Sequence, residues 1–144
     1  MISVTPLPKA IHDQVMELGK PFQIAKKAGN FAAAEPYLLQ MWATFPEPKF
    51  QWDWSQSYLT SIAGFYFEWQ RFLEAEQWAR EVFKCEPLPN DPCPYILLGR
   101  ICLEWGKEDL AKENLVKAFE MGGRRGFVGE DPKYFKFAQA HMKK

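Results

Sequence analysis

The sequence predicts an all-α protein made of three antiparallel helical hairpins and a C-terminal capping helix. Apolar residues recur every three or four positions over most of the 144 residues, which is the period of a helix with one buried face. Glycine and proline interrupt this pattern at intervals suited to the turns and ends of helices. The third hairpin repeats the second at a separation of 36 positions, so that Glu68-Trp69 returns as Glu104-Trp105.

The first hairpin is predicted over about residues 9–46. Its first helix extends from Lys9 to Ala28, and Gly29 ends that helix. Asn30 is suited to cap the second helix, because its side-chain oxygen accepts from backbone N–H groups that have no partner within the helix. The second helix then covers Phe31 to Phe45, before two prolines that cannot continue it.

The second hairpin is predicted over about residues 52–87. One helix starts near Asp53 and reaches Trp69, and the next extends from Phe72 to Cys85. Pro87 follows and closes the unit.

The third hairpin is predicted over about residues 92–122. Asp91 is suited to cap its first helix, and Pro92 fits the first helical position, where no backbone N–H is needed. Gly99 lies on the apolar face of this helix, so the two helix backbones are expected to approach closely there. Gly123 supplies the left-handed residue that ends the hairpin.

A last helix is predicted within about residues 127–144, with Asp131 as its cap and Pro132 in its first turn. It carries apolar residues at helical spacing, which would cover the exposed end of the third hairpin. These residues are Tyr134, Phe135, Phe137 and Ala138.

The order of large and small residues resembles the tetratricopeptide (TPR) repeat, a helix–turn–helix unit of about 34 residues. Tyr95, Leu98 and Gly99 stand where that family has its large, large and small residues, and Ala111, Leu115 and Ala118 match the pattern of its second helix. Gly123 departs from the pattern, since the family usually has proline there. The resemblance implies a short α-solenoid. A length of 144 residues is typical of one domain, so a single TPR-like helical domain is expected over residues 1–144.

Composition argues against several classes of function. The 18 basic and 18 acidic residues cancel, whereas nonspecific nucleic-acid binding needs a basic surface. No apolar run is long enough to span a membrane, and no secretory signal is visible. Cys85, Cys93 and Cys102 form no CxxC motif, which is typical of free thiols in a reducing compartment. A cytoplasmic protein is therefore expected.

The residues indicate no catalytic or metal site. His12 and His141 lie near opposite chain ends without clustered ligands, so neither a metal nor another cofactor is expected. The run 122–126 is rich in glycine and arginine, but it follows a helix, whereas a phosphate-binding loop would follow a strand. Glu68 and Glu104 could act as paired acids, although surface carboxylates are the simpler interpretation. We therefore predict neither an enzyme nor a small-molecule substrate.

The TPR resemblance implies that the first helix of each hairpin lines a concave groove, which would also expose Gly64. Trp52 and Trp54, beside the longest insertion, fit either the core or a partner contact. Residues 51–91 hold seven acids and three bases, which favours a basic partner, although a solvated surface explains the same acids equally well. The candidate partner-binding residues are Lys26, Lys27, Trp52, Trp54, Thr60, Phe67, Glu68, Ile96, Arg100, Leu103 and Glu104.

A narrower resemblance covers residues 110–134. The segments Leu110–Glu113, Lys117–Gly123 and Glu130–Tyr134, together with Phe127, are similar to the C-terminal end of small TPR-like proteins encoded beside bacterial polymorphic toxins. Those proteins are thought to act as immunity proteins, so the resemblance implies binding and neutralisation of a cognate toxin. The alternatives are a general peptide-binding adaptor or secretion chaperone and, much less favoured by the residues, an enzyme.

Overall fold

A computed structural model of the chain describes residues 4–142, and seven α-helices occur in this range. An isolated parallel bridge joins Thr5 to Trp52, and no strand occurs within the described range. The all-α prediction and its TPR-like order of hairpins are confirmed. The helices are α1 (Lys9–Lys27), α2 (Phe31–Thr44), α3 (Ser55–Glu68), α4 (Phe72–Glu81), α5 (Cys93–Glu104), α6 (Glu108–Gly122) and α7 (Pro132–Ala140).

The chain divides into two compact units. Unit 1 covers Met1–Tyr58 and unit 2 covers Leu59–Lys144, so the boundary falls inside α3. The single domain expected over residues 1–144 stays a prediction.

Unit 1 is built on the α1–α2 hairpin. Gly29 adopts a left-handed φ of 74°, which a glycine reaches without steric cost, and it turns the chain between the two helices. Asn30 caps α2 as predicted, because its side chain accepts a hydrogen bond of 3.1 Å from the backbone N–H of Ala33. The buried apolar residues of the two helices are Val15, Phe22, Ala34, Leu38, Met41 and Trp42.

The segment before α1, expected to be irregular, is tied to the segment before α3. The Thr5 N–H donates to the Gln51 carbonyl at 3.0 Å, and the Asp53 N–H donates to the Thr5 carbonyl at 2.8 Å. The Asp53 carboxylate also accepts from the Leu7 N–H at 3.0 Å, and Leu7 is buried. Asp53 therefore holds the N-terminal segment in place and does not start α3, which begins two residues later at Ser55.

Unit 2 is centred on the α5–α6 hairpin, where Gly99 makes the predicted close approach. A Cβ atom at Gly99 would stand 2.6 Å from Cγ of Leu115 and 3.2 Å from the Leu115 backbone nitrogen, so only glycine fits there. The start of α5 lies one residue later than predicted, at Cys93. Asp91 still accepts from the Cys93 N–H at 3.0 Å, while Pro92 precedes the helix.

A buried carboxylate links α4 to the start of the α5–α6 turn. Glu76 is only 9% exposed, and its carboxylate forms ion pairs with Arg80 at 3.2 Å and Lys107 at 3.7 Å. The Cys102 thiol donates to the same carboxylate at 3.9 Å. A buried charge is tolerated when it is paired in this way, so Glu76 belongs to the packing of unit 2.

The last helix, α7, begins as predicted. Asp131 caps it by accepting from the Lys133 N–H at 3.0 Å, and Tyr134 and Ala138 are buried. The Phe135 ring lies 5.5 Å from that of Phe119 on α6. The apolar side of α7 therefore packs on the third hairpin.

Gly99→Leu should lower the free energy of unfolding by about 1–3 kcal/mol or more, because a bulky side chain would overpack the contact with Leu115. The matched control is Gly64→Leu in α3, where a Cβ would meet no atom within 4 Å. Urea denaturation of both variants measures the difference. Equal midpoints for the two variants would contradict the close approach at Gly99.

Gln70→Gly should stabilise the chain. Gln70 follows α3 with a left-handed φ of 60°, the place that Gly106 with φ 81° takes after α5. A residue with a Cβ pays about 1–2 kcal/mol for the left-handed backbone conformation, and glycine would remove this cost. Roughly half of the gain would be lost, because glycine also raises the conformational entropy of the unfolded chain. The exposed Gln77 inside α4 is the matched control, since Gln77→Gly should destabilise by about 1 kcal/mol. A lower melting temperature for Gln70→Gly would refute the expectation.

Candidate partner-binding site

The eleven predicted site residues are divided between the two units. Lys26, Lys27, Trp52 and Trp54 belong to unit 1, and the other seven belong to unit 2.

In unit 1, both candidate tryptophans are half-buried and contact the chain itself. The Trp52 indole N–H donates to the Pro46 carbonyl at 2.9 Å, and the Trp54 ring meets the His12 ring edge to face at 4.5 Å. Lys27 is exposed at the end of α1, and Lys26 is half-buried. The tryptophans thus hold the segment before α3, which leaves only part of each ring for a partner.

In unit 2, Arg100 is the centre of the candidate site. Its guanidinium lies over the Phe67 ring, 5.2 Å from the ring centroid, and its Nη1 donates to Oε1 of Glu130 at 3.2 Å. The side chain remains 27% exposed. Its Nε is buried and has no acceptor among the described residues. Arg100 therefore connects α5, α3 and the segment before α7.

Glu104, one turn after Arg100, is not a free surface carboxylate. It accepts a hydrogen bond of 2.9 Å from the Tyr134 hydroxyl and forms an ion pair with Lys133. The contact with Lys133 is the main reason that the pKa of Glu104 lies below its ordinary value. Burial and the same carboxylate raise the pKa of the Tyr134 hydroxyl. A charge reversal at Glu104 would therefore break this tie to α7.

The remaining candidates of unit 2 differ in exposure. Ile96 is 4% exposed, and Cδ1 of Ile96 lies 3.8 Å from a Cβ built on Gly126, so it packs in the core and cannot offer surface to a partner. Leu103 and Phe67 are half-buried, while Thr60 and Glu68 are exposed on α3. Of the unit 2 candidates, Ile96 alone is too buried to contact a partner. Glu104 is already bound to Lys133 and Tyr134.

Gly64 lies on α3 between Thr60 and Phe67 at helical spacing. A Cβ built there would meet no atom within 4 Å, so the chain itself has no packing reason for a glycine at this position. The helix backbone is bare at that point and open to a partner.

The partners of two site residues were missed by sequence reasoning: Glu130 for Arg100, and Lys133 and Tyr134 for Glu104. The hydrogen bonds Arg100–Glu130 and Glu104–Tyr134 both span 30 positions, whereas the sequence repeat is 36. A search at the repeat interval could not find them. Because the two spans are equal, residues 130–134 lie alongside residues 100–104 of α5 in the same order.

The glycine-rich run 122–126 has a packing explanation. Cβ atoms at Gly122 and Gly126 would each stand 3.0 Å from Cγ of Pro92, so these glycines let the chain lie against the proline ring. Within residues 4–142, no group of three or more His, Cys, Asp and Glu side chains is placed to hold a metal ion. The helices in the same range include none that is long and apolar enough to cross a membrane.

Comparisons with known proteins bear on the fold alone. No family model and no curated protein matches the chain. Among solved structures, the chain is similar to the N-terminal domain of stress-induced protein-1 (STI-1) from C. elegans. The TM-score is 0.66 and the sequence identity 17%, over 94% of this chain and 100% of that one. This likeness confirms the TPR-like helical fold, and the toxin-neighbour resemblance has no support from it.

Glu104→Gln should destabilise the chain near neutral pH. The lowered pKa means that the ionised carboxylate stabilises the folded state above the ordinary glutamate pKa of about 4.3, and that this contribution is lost as the pH falls through the lower folded-state pKa. We expect the variant to unfold at a lower urea concentration than wild type at about pH 7, and the two midpoints to converge in acid.

The matched control for that titration is Glu120→Gln, because Glu120 is an exposed glutamate on α6. Its midpoint should stay close to that of wild type throughout. If the urea midpoint of Glu104→Gln lay as far below that of wild type in acid as it does at about pH 7, the charge of Glu104 would not be what holds α7.

Proposed function

We propose that this chain is a non-enzymatic protein-binding module whose partner contacts the α3–α5 face. This face is defined as Thr60, Gly64, Phe67 and Glu68 on α3 with Arg100 and Leu103 on α5. The observation that carries the proposal is the pair formed by Phe67 and Arg100, an aromatic ring and a guanidinium that are stacked at 5.2 Å and still partly exposed. Aromatic residues and arginine are enriched among residues that dominate binding energy.

The fixed position of Arg100 supports this role. Glu130 and Phe67 restrain the guanidinium before any partner arrives, so less side-chain entropy is lost on binding. Among the described residues its buried Nε has no acceptor, whereas a native structure usually satisfies such a donor.

Gly64 supports the same face. Glycine in a helix interior costs about 1 kcal/mol relative to alanine, and no neighbouring atom requires it here. A bare stretch of backbone beside Phe67 allows a partner chain to approach closely. Glu68, an exposed acid on this face, favours a basic group in that partner.

The narrower proposal is that the partner is a bacterial toxin which this chain neutralises by direct binding. It rests on the sequence resemblance of residues 110–134 alone, and several residues of that run have packing roles. Gly122 leaves room for the Pro92 ring, Asp131 caps α7, and Lys133 forms an ion pair with Glu104. A general peptide-binding adaptor or secretion chaperone fits the same face. Co-expression with the product of a toxin gene next to this one separates the two, since only an immunity protein should restore growth.

Gly64→Leu is the sharpest test of the α3–α5 face. The Cβ of the new side chain would meet no atom within 4 Å, and leucine favours a helix more than glycine does, so the fold should keep or gain stability while a partner is excluded. We expect binding of the partner, measured by calorimetry, to weaken about tenfold or more. Glu68→Lys is a second probe. It should weaken the binding of a basic partner, and it leaves the contacts of Glu104 with Lys133 and Tyr134 in place.

The matched control is Gln77→Leu, which adds the same exposed side chain to α4, away from the α3–α5 face as defined. It should leave the affinity unchanged. Equal affinity of wild type and a folded Gly64→Leu variant would place the partner elsewhere and contradict the proposal.

A further inference from the structure

Residues 130–134 form a strap across two charged side chains of α5. At the start of the strap, Glu130 accepts a hydrogen bond of 3.2 Å from the Arg100 guanidinium. At its end, the Tyr134 hydroxyl donates to the Glu104 carboxylate at 2.9 Å. Because Glu104 follows the last α5 residue of the α3–α5 face, the strap controls whether this carboxylate can meet a partner of that face.

The strap satisfies the Glu104 carboxylate only in part. Tyr134 and Lys133 both contact Oε1, and the other oxygen, Oε2, accepts no hydrogen bond from the residues that the structure describes. A lysine ammonium is a point charge, whereas the planar guanidinium of an arginine can donate to both oxygens of a carboxylate at once. An arginine from outside the chain would therefore satisfy Glu104 more fully than Lys133 does.

Lys133 is the part of the strap that can leave without disturbing the core. Its side chain is 51% exposed, whereas Tyr134 is 5% exposed and packs in unit 2. Lys133 is also the second residue of α7, where the helix dipole disfavours a positive charge. Ion pairs between partly exposed groups contribute little free energy. A partner cation could thus replace the Lys133 ammonium while α7 stays packed.

The position of Glu104 in the repeat favours a partner contact. Glu68 precedes it by 36 residues, which is the separation of the second and third hairpins, so the two acids stand at equivalent positions of α3 and α5. Glu68 is exposed on the α3–α5 face, whereas Glu104 is bound by the strap. Acids that recur at one repeat position suit a segment that carries basic groups at intervals. The strap covers one of these two acids.

We propose that Lys133 is an internal competitor for Glu104, and that a partner of the α3–α5 face displaces it with an arginine. In the free chain Lys133 holds the carboxylate, and in the complex the arginine fork takes both of its oxygens. The competition lowers the affinity of every partner, and it favours a segment with an arginine over one that lacks it. The inference deepens the proposed function and rests on it for the location of the partner.

The test uses a phage-displayed library of random peptides, selected on the immobilised full chain with Lys133→Gln, which removes the competitor. The enriched peptides are titrated by fluorescence anisotropy against wild type and variants. We expect peptides that contain arginine and that bind wild type about fivefold more weakly than Lys133→Gln. Lys133→Arg should bind them more weakly still, because its own fork would hold Glu104. Addition of Glu104→Gln to Lys133→Gln should lower the affinity about tenfold.

The matched control is Lys136→Gln, which removes the same charge from another exposed lysine of α7 and should bind the peptides like wild type. Lys133→Gln and Lys133→Arg alter only a half-exposed side chain. The comparison between these two variants therefore does not depend on how stable the chain with Glu104→Gln is.

Equal affinity of the peptides for wild type and Lys133→Gln would overturn the competitor. So would a selection that enriches no peptide, peptides without arginine, or affinity that survives Glu104→Gln. Gly64→Leu separates this inference from the proposed function. If it abolishes binding while Lys133→Gln changes nothing, the face stands and the competitor fails. If peptides respond to Lys133 and Glu104 as expected but tolerate Gly64→Leu, the competitor stands and the face fails.

Discussion

The close approach of α5 and α6 at Gly99 is the constraint on which the rest of unit 2 depends. Leu115 occupies the space that any side chain at Gly99 would need, so the two helix backbones lie as near as packing allows. This hairpin positions its neighbours at both ends. Pro92, just before α5, rests on Gly122 at the end of α6 and on Gly126 beyond it. The Glu76 cluster fastens α4 to Cys102 and Lys107.

The C-terminal segment has two roles in unit 2 because of how it is fastened. Its apolar residues cover α6, and its polar residues reach α5, where Glu130 pairs with Arg100 and Lys133 pairs with Glu104. Two of the side chains proposed for partner binding are thus already held by the chain. A partner at the α3–α5 face would meet Arg100 in a fixed position, and it would have to displace Lys133 and Tyr134 to reach the Glu104 carboxylate.

Helix boundaries were predictable where the signal is local. Asn30 and Asp131 cap α2 and α7 as expected, because a cap depends on residues two or three positions away. The partners of Glu104 were not predictable, since an ion pair between separate elements depends on tertiary placement that no local pattern encodes. The repeat register separated the two helical glycines, since it placed Gly99 at a close helix contact and Gly64 away from one, where a Cβ meets no atom within 4 Å. The toxin hypothesis remains a prediction from sequence, because the solved-structure likeness bears on the fold alone.

The central claim is that the segment after Gly126 completes unit 2, both by covering α6 and by holding Arg100 and Glu104. The most direct measurement is the thermal unfolding and solution size of a chain that ends at residue 126, compared with the full chain. Removal of Phe127, Tyr134 and Phe135 would expose the apolar end of the α5–α6 hairpin. The account predicts aggregation or a large fall in melting temperature. A truncated chain that stays monomeric and melts at the temperature of the full chain would contradict it.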